Sequence, residues 1–140
     1  LLIYELRPPV LEKEGLVAAL QARLDMVEGR SGLQTELRVE GDERLPVPVE
    51  EGFYRIAQEA LNNVLKHAQA HRVRLTLYLH SPTTWLEVAD DGVGFDPSDV
   101  LEKGGLGVLG MQERADQLGG KLVVASHAGS GSRVRVEVEV

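Results

Sequence analysis

A two-layer α/β sandwich, its sheet mixed but mostly antiparallel and covered on one face by helices, is the fold class this sequence predicts. Two observations carry the prediction. Apolar periodicity alternates between helical and strand spacing along the chain, in the order helix, strand, helix, strand, strand, helix, strand, strand. Adjacent strands occur twice in that order, which suits antiparallel pairs rather than a doubly wound parallel sheet. The composition is compatible: 140 residues with 43% hydrophobic and 4% aromatic content make one domain whose core is built from Leu, Val and Ala.

The elements follow in turn. "LLIYELRPPVLEKEGL" reads as the end of one helix, a break at Pro8-Pro9 and the start of another, because proline lacks the N–H and restricts the residue before it. From Val10 to about Val27, Leu16, Val17, Leu20, Leu24 and Val27 keep helical spacing, and "GRSG" ends the run. "LQTELRVE" alternates as a strand does, and "GDERLPVPVE" reads as a loop. Residues 50–68 form the clearest helix, with Phe53, Ile56, Ala57, Ala60, Leu61 and Val64 on one stripe. "HRVRLTLYLH" puts Val73, Leu75, Leu77 and Leu79 on one strand face; "SPTT" is a turn and "WLEVA" the next strand. Residues 96–104 read as a loose loop. "LGVLGMQERADQLGG" is a helix stopped by Gly119-Gly120, and "KLVVASH" and "SRVRVEVEV" are strands joined by a hairpin at "AGSGS".

Composition also narrows function. A formal net charge of −7 argues against a nonspecific nucleic-acid binder, which needs a basic face. Without cysteine there are no disulfides and no thiolate zinc sites, which fits a reducing compartment. No apolar run reaches the ~20 residues of a membrane span. The chain opens on apolar "LLIYEL" without Met, which suggests a piece of a longer protein.

Four segments could carry chemistry. On the long helix, Glu59 and Asn63 are four apart and share a face flanking the apolar stripe. Their hard oxygens suit Mg²⁺, which shares its shell with phosphates, and Lys66 is placed to reach a phosphate. A solvated polar face with an i,i+4 hydrogen bond explains the same spacing. In "EVADDGVGFD", Asp90 closes a strand and could accept a hydrogen bond from an exocyclic amine, while Gly92 and Gly94 remove side chains that would clash with a flat ligand. A capped β-turn is the plainer reading. Calcium is disfavoured, because Asp90, Asp91, Asp96 and Asp99 lack the calcium-loop spacing. Gly105, Gly107 and Gly110 form G-x-G-x-x-G where a helix opens, and free N–H groups there favour phosphate. No strand directly precedes them, so this is not the dinucleotide-binding version of the motif. In "GSGSRV", the Ser132 hydroxyl could join Asp90 at one ligand. His67 and His71 have zinc-like spacing but no third ligand.

Taken in order, Glu-x-x-x-Asn, Asp-x-Gly-x-Gly, a glycine-rich turn into a helix, and Gly-Ser before the last strand resemble the ATP-binding domain shared by sensor histidine kinases, gyrase, Hsp90 and MutL. The resemblance covers roughly residues 45–140 and implies the Bergerat ATP-binding fold. "ELRPP", "QEALNNVLKHAQA" and "GLGVLGMQERADQLGG" resemble the NarL-partner class of histidine kinases. On that resemblance, residues 1–15 would be the end of a dimerisation helix and its connector, and 16–140 the catalytic domain. Asp90 would bind the adenine amine, Asn63 would coordinate Mg²⁺, and Glu59 would hold Mg²⁺ or its water. Lys66 would contact phosphate and His67 would pack near the base. Gly92, Gly94, Gly105, Gly107 and Gly110 would shape the pocket and lid, and Ser132 stands where the family more often has Thr.

The ligands implied are ATP and Mg²⁺. The implied partners are the protein's own dimerisation and phosphoacceptor domain and a NarL-type response regulator. None of His67, His71, His80 and His127 is followed by an acidic residue, so the phosphoacceptor histidine of these kinases is absent from this chain. The chain alone is expected to be a monomer and the longer protein a homodimer. The expected location is a cytoplasmic domain, with anchoring of the longer protein in a bacterial inner membrane left open. Other readings remain: an ATPase of the same fold that drives conformational change, a nucleotide-binding module without turnover, and an anti-sigma-factor serine kinase.

Overall fold

The apolar stripe of the long helix lies across the middle of a five-stranded sheet, and this contact organises the molecule. The computed structural model describes residues 9–94, 107–126 and 129–140. The expected loop at 96–104, Gly105, Asp96, Asp99, His127 and the segment before Pro9 lie outside the described residues.

Two helices open the described chain, α1 (Pro9–Glu14) and α2 (Leu16–Ser31). The single helix expected from Val10 is therefore broken at Gly15, whose φ of 91° other residues rarely adopt. Leu11 is fully buried in the same core as Leu20 and Leu24, so that core begins ahead of residue 16. Leu16, Leu20, Leu24 and Val27 are buried as their spacing implies, but Val17 is 39% exposed and lies off the stripe. Gly32 ends α2 in the left-handed conformation, giving its N–H to the Glu28 carbonyl at 3.0 Å.

Strand β1 (Gln34–Gly41) leads to α3 (Val47–Asn63). α3 starts earlier than its stripe suggests. Pro46 caps it and Pro48 sits in its first turn, where a missing N–H costs nothing. It also stops being α-helical at Asn63, and Val64–Ala68 form a single π-helical turn in place of the expected continuous helix. Then come β2 (Arg72–Leu79) and β3 (Thr83–Asp90). β3 begins two residues before "WLEVA", because Thr84 is buried and gives its hydroxyl to the Tyr78 carbonyl at 2.6 Å. Helix α4 (Val108–Gln117) precedes β4 (Lys121–Ser126) and β5 (Ser132–Glu139). Gly119, at φ 68°, and the Gly120 N–H to Ala115 carbonyl bond of 2.9 Å stop α4 where the glycine pair predicts.

The strand order is β1-β2-β3-β5-β4. β1 runs parallel to β2 and every other neighbour is antiparallel, so the sheet is mixed and mostly antiparallel, as expected. α2 lies over β1, α3 over β3 and β5, and α4 over β4. The face beneath them carries Leu75, Leu77, Leu86, Val88, Val134 and Val136, all buried. The opposite face is polar: Glu36 pairs with Arg74 at 2.7 Å, and Arg135 lies 4.0 Å above the Trp85 ring, which stacks on Tyr78. Among the described residues no helix is long and apolar enough to cross a membrane.

Truncation on the two faces of the sheet should therefore differ. Leu75→Ala leaves a cavity in the covered face and is expected to cost about 2–5 kcal/mol in urea denaturation. Val123, 45% exposed on the open face, should tolerate alanine to within about 0.5 kcal/mol.

Candidate functional site

Asp90 is the last residue of β3, an inner strand, with Val73 of β2 on one side and Ser132 of β5 on the other. Its carboxylate is half-buried and held from two directions. Oδ1 accepts the Gly92 N–H at 2.8 Å, and Oδ2 accepts the Ser132 hydroxyl. A carboxylate has about four lone-pair positions, so both oxygens keep room for another donor while their direction is fixed. Gly131 sits behind this pair at φ 82°, and a Cβ there would collide with the Asp90 carbonyl. The Gly129 N–H to Val93 carbonyl bond ties the same hairpin to the turn after β3. Gly92 is buried and Gly94 takes φ 70°. Asp90, Gly92 and Ser132, three residues singled out in sequence, are thus brought together.

Asp91, next to it, does different work. Its Oδ1 accepts the His71 N–H at 2.8 Å and the Arg72 N–H at 2.9 Å, which caps the start of β2. These bonds, Arg72's foremost, hold the Asp91 carboxyl below the usual carboxylate range. Neighbouring residues on an extended chain point to opposite faces, so Asp90 and Asp91 do not converge on one ion. Among the described residues no group of three His, Cys, Asp or Glu side chains could hold a metal.

The second group lies between α3 and α4. Glu59 packs against Gly107, the left-handed residue at the N-terminus of α4, so closely that any side chain at 107 would overlap the carboxylate. Gly107 leaves the first turn of α4 without a side-chain cap. Glu59, Gly107 and Gly110 line one cleft of about 290 Å³ with Arg55, Gln58, Met111 and Arg114. Gly110 is exposed, with open space where a Cβ would be. Asn63, one turn beyond Glu59 on the same face, is half-buried at the end of α3. Lys66 is exposed in the π turn, and His67 falls in the same turn.

Arg55 and Arg114 were not singled out in sequence. A signal existed for Arg55: Arg55, Glu59 and Asn63 follow one another at spacings of four, a single helical face. Arg114 gave none, since its place depends on how α4 docks on α3.

A family model described as histidine kinase-, DNA gyrase B-, and HSP90-like ATPase matches residues 49–140. The oxygen sensor histidine kinase NreB of Staphylococcus carnosus is 36% identical over 137 residues, which are 97% of this chain and 40% of that protein. The sensor histidine kinase LiaS of Bacillus subtilis is 34% identical over 99% of this chain and 38% of its own length. An uncharacterized sensor-like histidine kinase of Chloroflexus aurantiacus is 33% identical over 99% of this chain and 25% of its own length. The chain thus spans between a quarter and two fifths of these relatives. Among solved structures, the histidine kinase domain of the Erythrobacter litoralis EL346 blue-light activated kinase superposes with a TM-score of 0.73 at 22% identity, covering 89% of this chain and 60% of that one. The catalytic domain of histidine kinase ThkA gives 0.71 at 13% identity, covering 90% of both chains. These two likenesses establish the fold.

The Asp91 cap makes a prediction about acid stability. A carboxylate whose pKa is lowered by folding stabilises the fold above its unfolded value of about 4, and that contribution disappears as pH falls through the lower folded value. Asp91→Ala should lower stability at pH 7 by about 1 kcal/mol. In denaturation series from pH 7 to pH 2, the gap between wild type and variant should stay constant above about pH 5 and close below about pH 4.

Proposed function

The chain belongs to the histidine kinase-, DNA gyrase B- and HSP90-like ATPase family, and from that premise we propose that it is the ATP-binding catalytic domain of a two-component sensor histidine kinase. The observation that carries the reading is the Asp90 carboxylate, pinned by Gly92 and Ser132 at the mouth of the sheet with acceptor capacity left over. An adenine amine fits that acceptor. A guanine carbonyl at the same place would set acceptor against acceptor, so GTP should be rejected. Gly92 and Gly94 keep side chains out of the turn on which the base would lie.

Asn63 and Glu59 would hold Mg²⁺. One amide and one carboxylate are a sparse set for this ion, which suits a cation that completes its shell with phosphate oxygens and water. Lys66, exposed just beyond Asn63, would meet a phosphate, and His67 would pack near the base. Gly105, Gly107 and Gly110 would shape the lid and leave backbone N–H groups of α4 open to an anion. Bound MgATP would supply the phosphoryl group, and the chain's part is positioning and charge neutralisation.

The acceptor would be a histidine outside this chain, on a dimerisation domain that makes the longer protein a homodimer. A NarL-type response regulator is the proposed downstream partner, on the resemblance of "QEALNNVLKHAQA" and "GLGVLGMQERADQLGG" to that kinase class. The domain is proposed to work in the cytoplasm.

Isothermal titration of the chain with MgATP, with MgGTP and with Asp90→Asn as comparisons, tests this. MgATP should bind saturably, and both GTP and the variant should bind at least about tenfold more weakly. Equal affinity of wild type and Asp90→Asn for ATP would place the base elsewhere.

A further inference from the structure

We propose that Arg44 and Glu50 form a latch between the bend at Gly15 and the first turn of α3, so that these two places hold or open together. The latch is a conformational device that stands apart from the ATP-binding reading. It joins α1 to the helix that carries Glu59, about two and a half turns beyond Glu50.

Glu50 is the charged side chain that the fold buries. Among the described residues it alone of the charged groups is so placed, at 4% exposure. The other buried polar side chains, Thr84 and Ser126, each give a hydroxyl to a backbone carbonyl. Glu50 is not settled in that way. Its Oε1 is buried without a hydrogen-bond partner, and its Oε2 lies 3.5 Å from Arg44 Nε. The turn that carries it is lightly held. Pro46 gives α3 no side-chain cap, and the N–H groups of Val49 and Glu50 share the Pro46 carbonyl at 3.0 and 3.1 Å.

Arg44 reaches this carboxylate from the loop between β1 and α3. Its side chain is 75% exposed, so a buried charge meets its counter-charge at the surface. The same guanidinium lies against the bend: a Cβ on Gly15 would be 3.8 Å from Arg44 Nη1. Gly15 gives its N–H to the Leu11 carbonyl at 3.1 Å, closing α1, and its own carbonyl accepts the Ala19 N–H at 3.1 Å, opening α2. One guanidinium thus spans the pivot between α1 and α2 and the carboxylate of α3.

Two states follow. With Arg44 seated, the carboxylate is tolerated in the interior. With Arg44 withdrawn, Glu50 is a buried charge without a partner, and the first turn of α3 opens until the carboxylate meets water. A swing of α1 about Gly15 shifts the surface on which the guanidinium lies and favours the second state. The opening is local, since it breaks bonds of one helical turn and leaves the sheet paired.

Amide hydrogen exchange, read residue by residue by NMR on the 140-residue chain, tests the latch. The samples are wild type, Arg44→Ala, Gly15→Ala, the double variant of these two, and Arg44→Ala with Glu50→Gln. Arg44→Ala should speed exchange at Val49 and Glu50 about tenfold, while the amides of Arg72–Leu79 in β2 change by less than about twofold. Gly15→Ala puts a methyl at a φ of 91° and against the guanidinium. It should speed exchange at the same two amides about threefold, and add nothing there once Arg44 is alanine. Adding Glu50→Gln to Arg44→Ala should restore most of the protection at Val49, because a neutral amide needs no counter-charge.

Exchange at Val49 and Glu50 that ignores Arg44→Ala would overturn the proposal, by showing that the carboxylate is compensated without it. Transmission from Gly15→Ala that persists without Arg44 would overturn it too, and assign the coupling to the buried Leu11 and Leu16 on either side of the bend. A rise shared equally by the β2 amides would replace the latch with general destabilisation. Each outcome is independent of whether the chain binds nucleotide.

Discussion

The burial of α3 against the centre of the sheet is the contact on which the rest of the structure depends. Phe53, Ile56, Ala57, Ala60 and Leu61 are almost wholly removed from water along one stripe. Each large side chain so buried contributes about 1.5–3 kcal/mol, and the two alanines let the helix backbone approach the strands closely. With that stripe committed to β3 and β5, the rotation of α3 about its own axis is fixed. Arg55 and Glu59 then emerge along another line, beside α4, with Asn63 one turn further on the same face of α3. The chemistry on α3 is therefore a consequence of its packing: rotating the helix to move Glu59 would expose Phe53 or Ile56.

Strand ends supply the other half of the site by a similar economy. β3 lies between β2 and β5, so its last residue has neighbours on both sides and the turn beyond it has little freedom. Asp90 uses this position twice, accepting from its own turn at Gly92 and from Ser132 across the ladder. Asp91, pointing the other way, clamps the start of β2 through two backbone N–H groups. Two consecutive aspartates thus take up separate tasks, one facing the candidate ligand and one holding the start of β2, the strand beside it. Gly131 completes the arrangement, because only a residue without Cβ lets the last hairpin reach the Asp90 backbone.

The uncovered face of the sheet is built from charged and polar side chains. Neighbours there satisfy one another: Glu36 with Arg74 and Glu87 with Arg133 and Arg135 across strands, and Arg135 with Glu137 along β5 and with the Trp85 ring of β3. Such exposed pairs add little stability individually. Their effect is to make the face polar and self-complementary, in contrast to the apolar face that the helices cover.

Local rules settled much of this protein before any fold was known. Periodicity decided which face of β2 and α3 is apolar, because a side chain's direction repeats every two residues in a strand and every 3.6 in a helix. The glycines and prolines marked the element ends, and the spacing of Glu59 and Asn63, the strand-terminal Asp90 and the Gly-Ser pair before β5 identified the candidate site. Long-range packing decided what those rules do not contain. The break at Gly15, the early start of α3 at its prolines and the π turn after Asn63 depend on where neighbouring elements press. The antiparallel pairing of β3 with β2 and with β5 sets which strands flank Asp90. The approach of α4 to α3 brought Gly107 onto Glu59 and Arg114 opposite Arg55, residues about 50–60 positions apart. Nothing in either segment alone encodes that meeting, since it arises from two helices covering adjacent strands of one sheet.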